Sequence, residues 1–266
     1  MLSDTPPLLS LPTELCLQIL ELVLLQHPNA GFIRSEKSPT TQYHGLVIDD
    51  NYSSSSQLNI LLTCRQFKHD FAALAFRSTT FLLKTPLPFN MLLRRLQNHQ
   101  IASLRKLAFI TSSERICALV HWVDYPFDAE NIRLEELTIV FDSAEHWHFP
   151  SQYTRELVAL LRRLQNVQVL RFVRNSAQFN GSFRTWYNRL VGLILKEDHH
   201  QRYDAPDAPN TEVTWWKWRY DYMDNSFELV AQPPKPILPE AEYIDFVAPM
   251  VRGLMNDMEV EEMAHG

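Results

Sequence analysis

Two leucine-rich segments near the N-terminus, residues 8–26 and 57–81, constrain the fold of this chain more than any other feature. In each segment the apolar residues recur at steps of three and four, which places them on one face of an α-helix. Pro12 and Glu14 suit the first turn of the first helix, because a proline there loses no intrahelical hydrogen bond and the helix dipole favours an acidic side chain. The sequence therefore predicts amphipathic helices in both segments.

Short helices of this kind cannot bury all of their leucines against one another, because each helix buries only one stripe of its surface. Some of these side chains must face the rest of the chain or a partner. A contiguous exposed apolar patch would indicate a protein interface. The alternative is that both segments serve only as core.

The order of residues in the two segments resembles the F-box, and in particular the divergent F-box-like proteins common in fungi. The first half of the motif contains a Leu-Pro-Thr-Glu-Leu sequence, and the second contains Leu-Leu-Thr-Cys-Arg-Gln-Phe. The matching residues are Leu11, Pro12, Leu15, Ile19, Leu61, Leu62 and Phe67.

This resemblance implies a three-helix module that binds the linker subunit of a cullin–RING ubiquitin ligase and presents another protein for ubiquitin transfer. The seven matching residues are then the expected docking element, with Leu15, Ile19 and Phe67 alternatively supporting it from the core. The chain departs from the family pattern because residues 26–56 separate the two halves, where the family has a short connection.

Residues 26–56 are rich in Ser, Thr, Asn and Asp and contain one apolar island, residues 45–48. Polar loops of this length are generally functional or disordered, so we expect this one to be mostly disordered. The alternative is a regulated loop in which phosphorylated Ser or Thr changes the charge beside the helices.

From residue 80 onward, strand and helix patterns alternate, which predicts parallel strands joined by crossover helices. The predicted strands are residues 77–84, 104–110, 134–141 and 167–173, and the predicted helices are residues 89–97, 114–123, 153–164 and 183–195.

An internal repeat strengthens this interpretation. The sequence Leu-Leu-Arg-Arg-Leu-Gln-Asn at residues 92–98 recurs at residues 160–166, and the strands share the spacing L-x-x-L-x-L. Ser112, Asp142 and Asn175 follow these strands and carry short polar side chains that can hydrogen-bond a turning backbone. This region resembles a degenerate leucine-rich-repeat array, and the alternative is an ordinary α/β layer.

The sequence of the C-terminal region predicts a loop, a hairpin and a helix. Residues 198–210 read as a loop, residues 212–220 and 226–231 as a β-hairpin, residues 232–239 as an extended segment, and residues 240–258 as a helix that Pro249 starts, kinks or ends. The predicted fold class is α+β. We divide the chain into F-box-like helices (1–81, with the insertion 26–56), a leucine-rich-repeat-like region (82–197) and a C-terminal region (198–266).

Two residue groups suggest other chemistry. His146 and His148 would share one face of a strand, and they would bind zinc only with a third ligand, so a metal-dependent enzyme is the less favoured alternative. Aromatic residues alternate with Lys217 and Arg219, which is a pattern of single-stranded nucleic-acid platforms and, more often, of a strand that covers a core. The net charge of −6 argues against a dominant nucleic-acid surface.

The remaining features lead us to expect an intracellular adaptor without catalysis, cofactor, membrane or nucleic-acid partner. No segment has the length of a membrane span, and the N-terminus lacks the basic start of a secretion signal. The three cysteines have no metal-type spacing, which favours a reducing compartment, the cytosol or the nucleus. The expected partners are the ligase linker subunit and a protein substrate whose identity the sequence leaves open.

Overall fold

The computed structural model describes residues 11–24, 31–35, 44–63, 65–83, 93, 95–116, 131–148, 154–210 and 215–265. The chain is mixed α+β, as its patterns predicted. Its helices are α1 (Thr13–Leu24), α2 (Ser54–Gln57), α3 (Arg65–Ser78), α4 (Asn98–Ser103), α5 (Ser113–Ile116), α6 (Thr154–Arg163), α7 (Phe183–His199) and α8 (Glu240–His265). A 3-10 helix spans Leu58–Leu62 and a π-helix spans His200–Asp204. In the described parts of the chain, every helix is too short or too polar to cross a membrane.

The strands form one large sheet and two small ones. They are β1 (Phe32–Ser35), β2 (Gly45–Ile48), β3 (Thr80–Leu83), β4 (Lys106–Thr111), β5 (Leu134–Phe141), β6 (His146–Trp147), β7 (Val167–Val173), β8 (Gln178–Phe179), β9 (Trp215–Asp221) and β10 (Ser226–Gln232). The six-stranded sheet has the order β3-β4-β5-β7-β10-β9, in which β3, β4, β5 and β7 are parallel and β10 and β9 are antiparallel. The predicted parallel strands and C-terminal hairpin therefore lie in one sheet.

One face of this sheet packs against α7 and forms the main core. Successive side chains of a strand point to opposite faces, so alternate apolar residues of β5, β7 and β10 reach this core. The rings of Phe172 and Phe227 stack with centroids 4.5 Å apart, and Phe141 lies edge-on to Trp186 of α7 at 5.1 Å. Aromatic pairs in these geometries add to the free energy gained from apolar burial.

The opposite face of the sheet is also covered, and its cover comes from the insertion. Strands β1 and β2 pair antiparallel, and their side chains Phe32 and Leu46 pack in one cluster with Ala108, Val140 and Val173 of the sheet. Our expectation that residues 26–56 are mostly disordered is therefore wrong for residues 31–35 and 44–56. Val140 and Val173 have no exposed surface, so the hairpin removes apolar area from water that the sheet would otherwise present.

Polar contacts attach the hairpin to the end of the sheet. The side-chain Oδ1 of Asn175 accepts a hydrogen bond from the Ile48 backbone N–H at 3.0 Å, and its Nδ2 donates to the Phe141 carbonyl at 3.2 Å. The Leu46 N–H donates to the Asp224 carbonyl at 2.8 Å. Asn175 has a φ of +50°, a left-handed conformation that Asn adopts more readily than most residues. The polar turn position predicted after this strand thus also holds the hairpin.

The C-terminal region differs from its prediction in two places. Residues 198–210 are not simply a loop, because α7 continues to His199 and a π-helix follows. The ion pair of Asp198 and Arg202, with 2.8 Å between Oδ2 and Nε, is buried where α7 meets the π-helix. Helix α8 continues through Pro249 to His265. Of the helix predicted at residues 89–97, the structure describes residues 93 and 95–97, and residues 95–97 are not helical. Most of the helix predicted at residues 114–123 lies outside the described residues.

The C-terminal hairpin has the predicted two faces. Trp216, Trp218 and Tyr220 pack against the main core, whereas Lys217 and Arg219 are exposed. The indole N–H of Trp216 donates to the Leu161 carbonyl at 3.0 Å, which satisfies its one polar atom inside the core. These aromatic residues therefore serve packing.

The packing of the insertion on the sheet predicts the effect of two substitutions in its hairpin. Leu46→Ala should lower the free energy of unfolding by about 2–5 kcal/mol, because it leaves a cavity against Val140 and Val173. Ile33→Ala removes a similar side chain that is 49% exposed and should change stability by less than about 0.5 kcal/mol. Urea unfolding of both variants measures the difference. Equal and small effects would mean that the hairpin does not pack on the sheet.

Candidate protein-docking surface

Helix α1 begins where the sequence places it. The Pro12 carbonyl accepts hydrogen bonds from the backbone N–H groups of Leu15 at 3.0 Å and Cys16 at 3.1 Å, so the first turn closes on the proline. Pro12 itself has no N–H, and at a helix start this removes a donor that lacks an intrahelical partner. One face of α1 is buried, and its residues are Cys16, Leu20 and Leu24.

The second segment forms α2, the 3-10 helix and α3, with α3 packed against α1. Its rings of Phe67 and Phe71 lie 5.3 Å apart and pack in one cluster with Cys16 and Leu20. A second cluster joins Leu24 of α1 to Leu61 of the 3-10 helix and Ala75 of α3. The two halves of the sequence motif therefore meet in one helical bundle, although 26–56 separates them in sequence.

The other face of α1 is apolar and exposed. Leu11, Leu15, Ile19 and Leu22 follow one another at steps of four, four and three, and they are 37%, 44%, 37% and 68% exposed. We call these four residues the apolar stripe. Helix periodicity places Leu15, Ile19 and Leu22 on one side of α1, away from the buried Cys16 and Leu20, and Leu11 lies two residues before the helix begins. Large apolar side chains grouped in this way on a surface are typical of a protein interface.

The seven residues predicted for docking divide into two groups. Leu11, Pro12, Leu15, Ile19 and Leu62 are exposed, with Leu62 the most exposed at 80%. The interpretation of Leu15 and Ile19 as core supports is therefore wrong. Leu61 and Phe67 are buried in the bundle. These two can contribute to a docking surface only by holding α1 and the 3-10 helix in place.

The predicted histidine pair has a simple arrangement. His146 and His148 are exposed on either side of the buried Trp147, with their ring centroids 5.2 Å apart. Among the residues that the structure describes, neither belongs to a group of three side chains with metal-ligand atoms within 4.8 Å of one another. The one such group in the described residues is formed by His199, Asp204 and Glu240.

Sequence spacing did not reveal this group. Asp204 lies beside His199 because the backbone between them is a π-helix, a conformation that no residue pattern in this segment predicted. Glu240 is 41 residues from His199 and approaches it only through the packing of α8 on α7. The one sequence feature that points to Glu240 is the acidic first turn of α8, to which it belongs.

The part of the sheet beyond the hairpin carries four charged side chains that pair with one another, Arg171, Glu136, Glu228 and Arg219, which we call the charged ladder. The Arg171 guanidinium lies 3.4 Å from a Glu136 oxygen and is hydrogen-bonded to Glu228, which also pairs with Arg219 at 3.1 Å. Burial alone would lower the pKa of Arg171, but the carboxylates of Glu136 and Glu228 outweigh it and raise that pKa. This face is therefore polar and internally charge-balanced next to the apolar hairpin.

Comparisons of the chain with protein-family models, with curated proteins and with solved structures found no match. The interpretation of its function therefore rests on the residues and geometry described above. The apolar stripe accounts for four of the large apolar side chains that are exposed in the described residues.

The division into core and surface residues predicts a large loss of stability for one apolar substitution in the bundle and a small one for another. Phe71→Ala should destabilise the protein by about 3–5 kcal/mol, because its ring fills the contact between α1 and α3. Leu62→Ala should change the free energy of unfolding by less than about 0.5 kcal/mol, because Leu62 is mostly in solvent. Thermal or urea unfolding tests both. A large loss for Leu62→Ala would show that this residue belongs to the core.

Proposed function

We propose that this chain is an F-box-like adaptor that docks the linker subunit of a cullin–RING ubiquitin ligase and presents a protein substrate. The observation that carries this proposal is the apolar stripe on α1, which contains three of the residues that match the family motif and has Pro12 at its start. No catalytic step is assigned to the chain itself. Its part is to hold two proteins together.

The chemistry of the stripe supports a protein partner. Completely burying an exposed large aliphatic side chain contributes about 1.5–3 kcal/mol, and the stripe offers four such side chains, of which 37% to 68% of the surface is still exposed. A helix that presents an exposed apolar face is a common element of helix-mediated protein recognition. The exposure of Leu11, Leu15 and Ile19 favours this role over the alternative in which the helices serve only as core.

The position of the insertion removes one objection to docking. An insertion that covered α1 would occupy the surface that the linker subunit needs. Here the buried side chains of the hairpin, Phe32 and Leu46, contact the large sheet. The side chains of the apolar stripe stay exposed.

The substrate side of the proposal concerns the sheet region. The parallel order of β3, β4, β5 and β7, with helical segments between them, supports the resemblance to a degenerate leucine-rich-repeat array. In such an array the strand face carries the binding surface, and here the hairpin occupies part of that face. We infer that a substrate contacts the charged ladder of Arg171, Glu228 and Arg219 beside the hairpin.

Two alternatives have less support. A non-ligase interaction protein would use the same apolar stripe for a different partner. Measuring binding to the linker subunit distinguishes this alternative from the adaptor. A metal-dependent enzyme centred on His146 and His148 would need further ligands, and the described residues place none in a group with them.

The adaptor proposal predicts direct binding to the linker subunit. The purified full chain should bind it, and Ile19→Ala should weaken the Kd by about tenfold or more, because truncating an apolar anchor at an interface centre costs at least about 1–2 kcal/mol. The double variant Leu11→Ala, Pro12→Ala should also lose binding. Calorimetry or biolayer interferometry measures each Kd, and circular dichroism checks that each variant is folded.

Ile244→Ala is the matched control. Ile244 is the same residue type on a different helix, α8, and is 46% exposed, close to the 37% of Ile19. Its substitution should leave the Kd unchanged. If the intact protein does not bind the linker subunit, or if Ile19→Ala and Ile244→Ala bind equally well, the adaptor proposal fails.

A further inference from the structure

The end of α7 and the start of α8 bring three ionisable side chains together. His199 is the last residue of α7, Asp204 ends the π-helix that follows, and Glu240 begins α8. The Nδ1 atom of His199 lies 3.3 Å from an Asp204 oxygen, and its Nε2 lies 3.1 Å from a Glu240 oxygen. We call these three residues the His199 cluster.

The surroundings hold the cluster in place. The rings of Tyr203 and Tyr243 lie 5.2 Å and 6.0 Å from the His199 ring, and so restrict its orientation. The Tyr203 hydroxyl donates to the Leu238 carbonyl at 2.8 Å, and the Tyr243 hydroxyl donates to the buried Asp198 at 2.5 Å. These bonds connect α7 to the chain that enters α8. The positions of His199 and Glu240 are therefore set by buried contacts nearby.

Both ring nitrogens of His199 lie close to carboxylates. A neutral imidazole carries one N–H, so only one of its two ring nitrogens can donate a hydrogen bond. Here both nitrogens face carboxylate oxygens within 3.3 Å. With a neutral ring, one of these contacts would place a nitrogen lone pair against a negative oxygen. A cation held between the ring and the carboxylates would replace that contact with favourable ones.

We propose that the His199 cluster binds a divalent transition-metal ion, for which Zn²⁺ is the representative. One ring nitrogen of His199 and one oxygen each from Asp204 and Glu240 are its protein ligands, and these ligand atoms all lie within 4.8 Å of one another. Zn²⁺ accepts imidazole and carboxylate ligands at about 2.0–2.2 Å, so the three side chains have to move closer together when the ion binds. Two carboxylates balance the charge of the ion.

The site is accessible to an ion and to water. His199 and Asp204 line a surface cavity of about 480 Å³, together with Lys196, Glu197, His200 and Gln201. The side chains of Asp204 and Glu240 are about half exposed, so water completes the coordination. The consequence of binding is structural. The ion joins the first turn of α8 to the end of α7 and should stabilise the folded protein, because only the folded chain assembles the ligands.

The test is a zinc titration of the full chain, purified without a histidine tag and treated with a chelator. At pH 8.0, where an ordinary imidazole is neutral, calorimetry should show one Zn²⁺ bound per chain. His199→Asn and Glu240→Gln should weaken the Kd by about tenfold or more, because each removes a ligand. Zn²⁺ should raise the Tm of the wild type and not that of Glu240→Gln.

His200→Asn is the matched control, because His200 lies in the same cavity but outside the cluster. It should bind Zn²⁺ as the wild type does. Retained binding in the double variant His146→Asn, His148→Asn excludes the other exposed histidine pair as the site. The proposal is overturned if the wild type binds no Zn²⁺, if His199→Asn binds as tightly as the wild type, or if His200→Asn loses as much affinity.

Discussion

The burial of the central strands on both faces is the constraint on which the rest of the structure depends. Strands β5 and β7 are flanked by other strands, and Phe172 on one face and Val173 on the other have no exposed surface. A sheet with two apolar faces needs two covers. Helix α7 provides one, and the hairpin of the insertion provides the other. The insertion that interrupts the helical motif in the sequence is therefore the cover of one face of the large sheet.

Because the insertion covers the sheet, the N-terminal helices keep an exposed apolar face. The bundle of α1, the 3-10 helix and α3 closes its own core through Leu20, Phe67 and Phe71. The insertion leaves the bundle after α1, covers the sheet and returns to α2. Tyr52 and Ser54 mark that return, because both hydroxyls donate to the Thr80 carbonyl at the edge strand β3. The polar segment thus connects bundle and sheet while the outer side of α1 remains in solvent.

The sequence predicted regular elements better than it predicted contacts. Strands β5 and β7 have the predicted bounds because alternating or continuous apolar residues specify a strand locally. The helical stripe of α1 was equally local. The hairpin was missed because Phe32 and Leu46 lie in very short apolar stretches of a polar segment, and their partners lie about 60 to 140 residues further along the chain. For the same reason, the exposure of Ile19 and the approach of Glu240 to His199 required the folded chain.

The contact between Arg34 and Asp224 has a consequence for the order of folding. The two residues are 190 positions apart, and Asp224 lies in the turn that completes the sheet. At a synthesis rate of about 5–20 residues per second, the hairpin leaves the ribosome about 10 to 40 seconds before its anchor exists. The strands that its apolar side chains cover, which carry Ala108, Val140 and Val173, are synthesised within that interval, before Asp224. The apolar packing of the hairpin can therefore form before its contact with Asp224, which has to wait for the last two strands of the sheet.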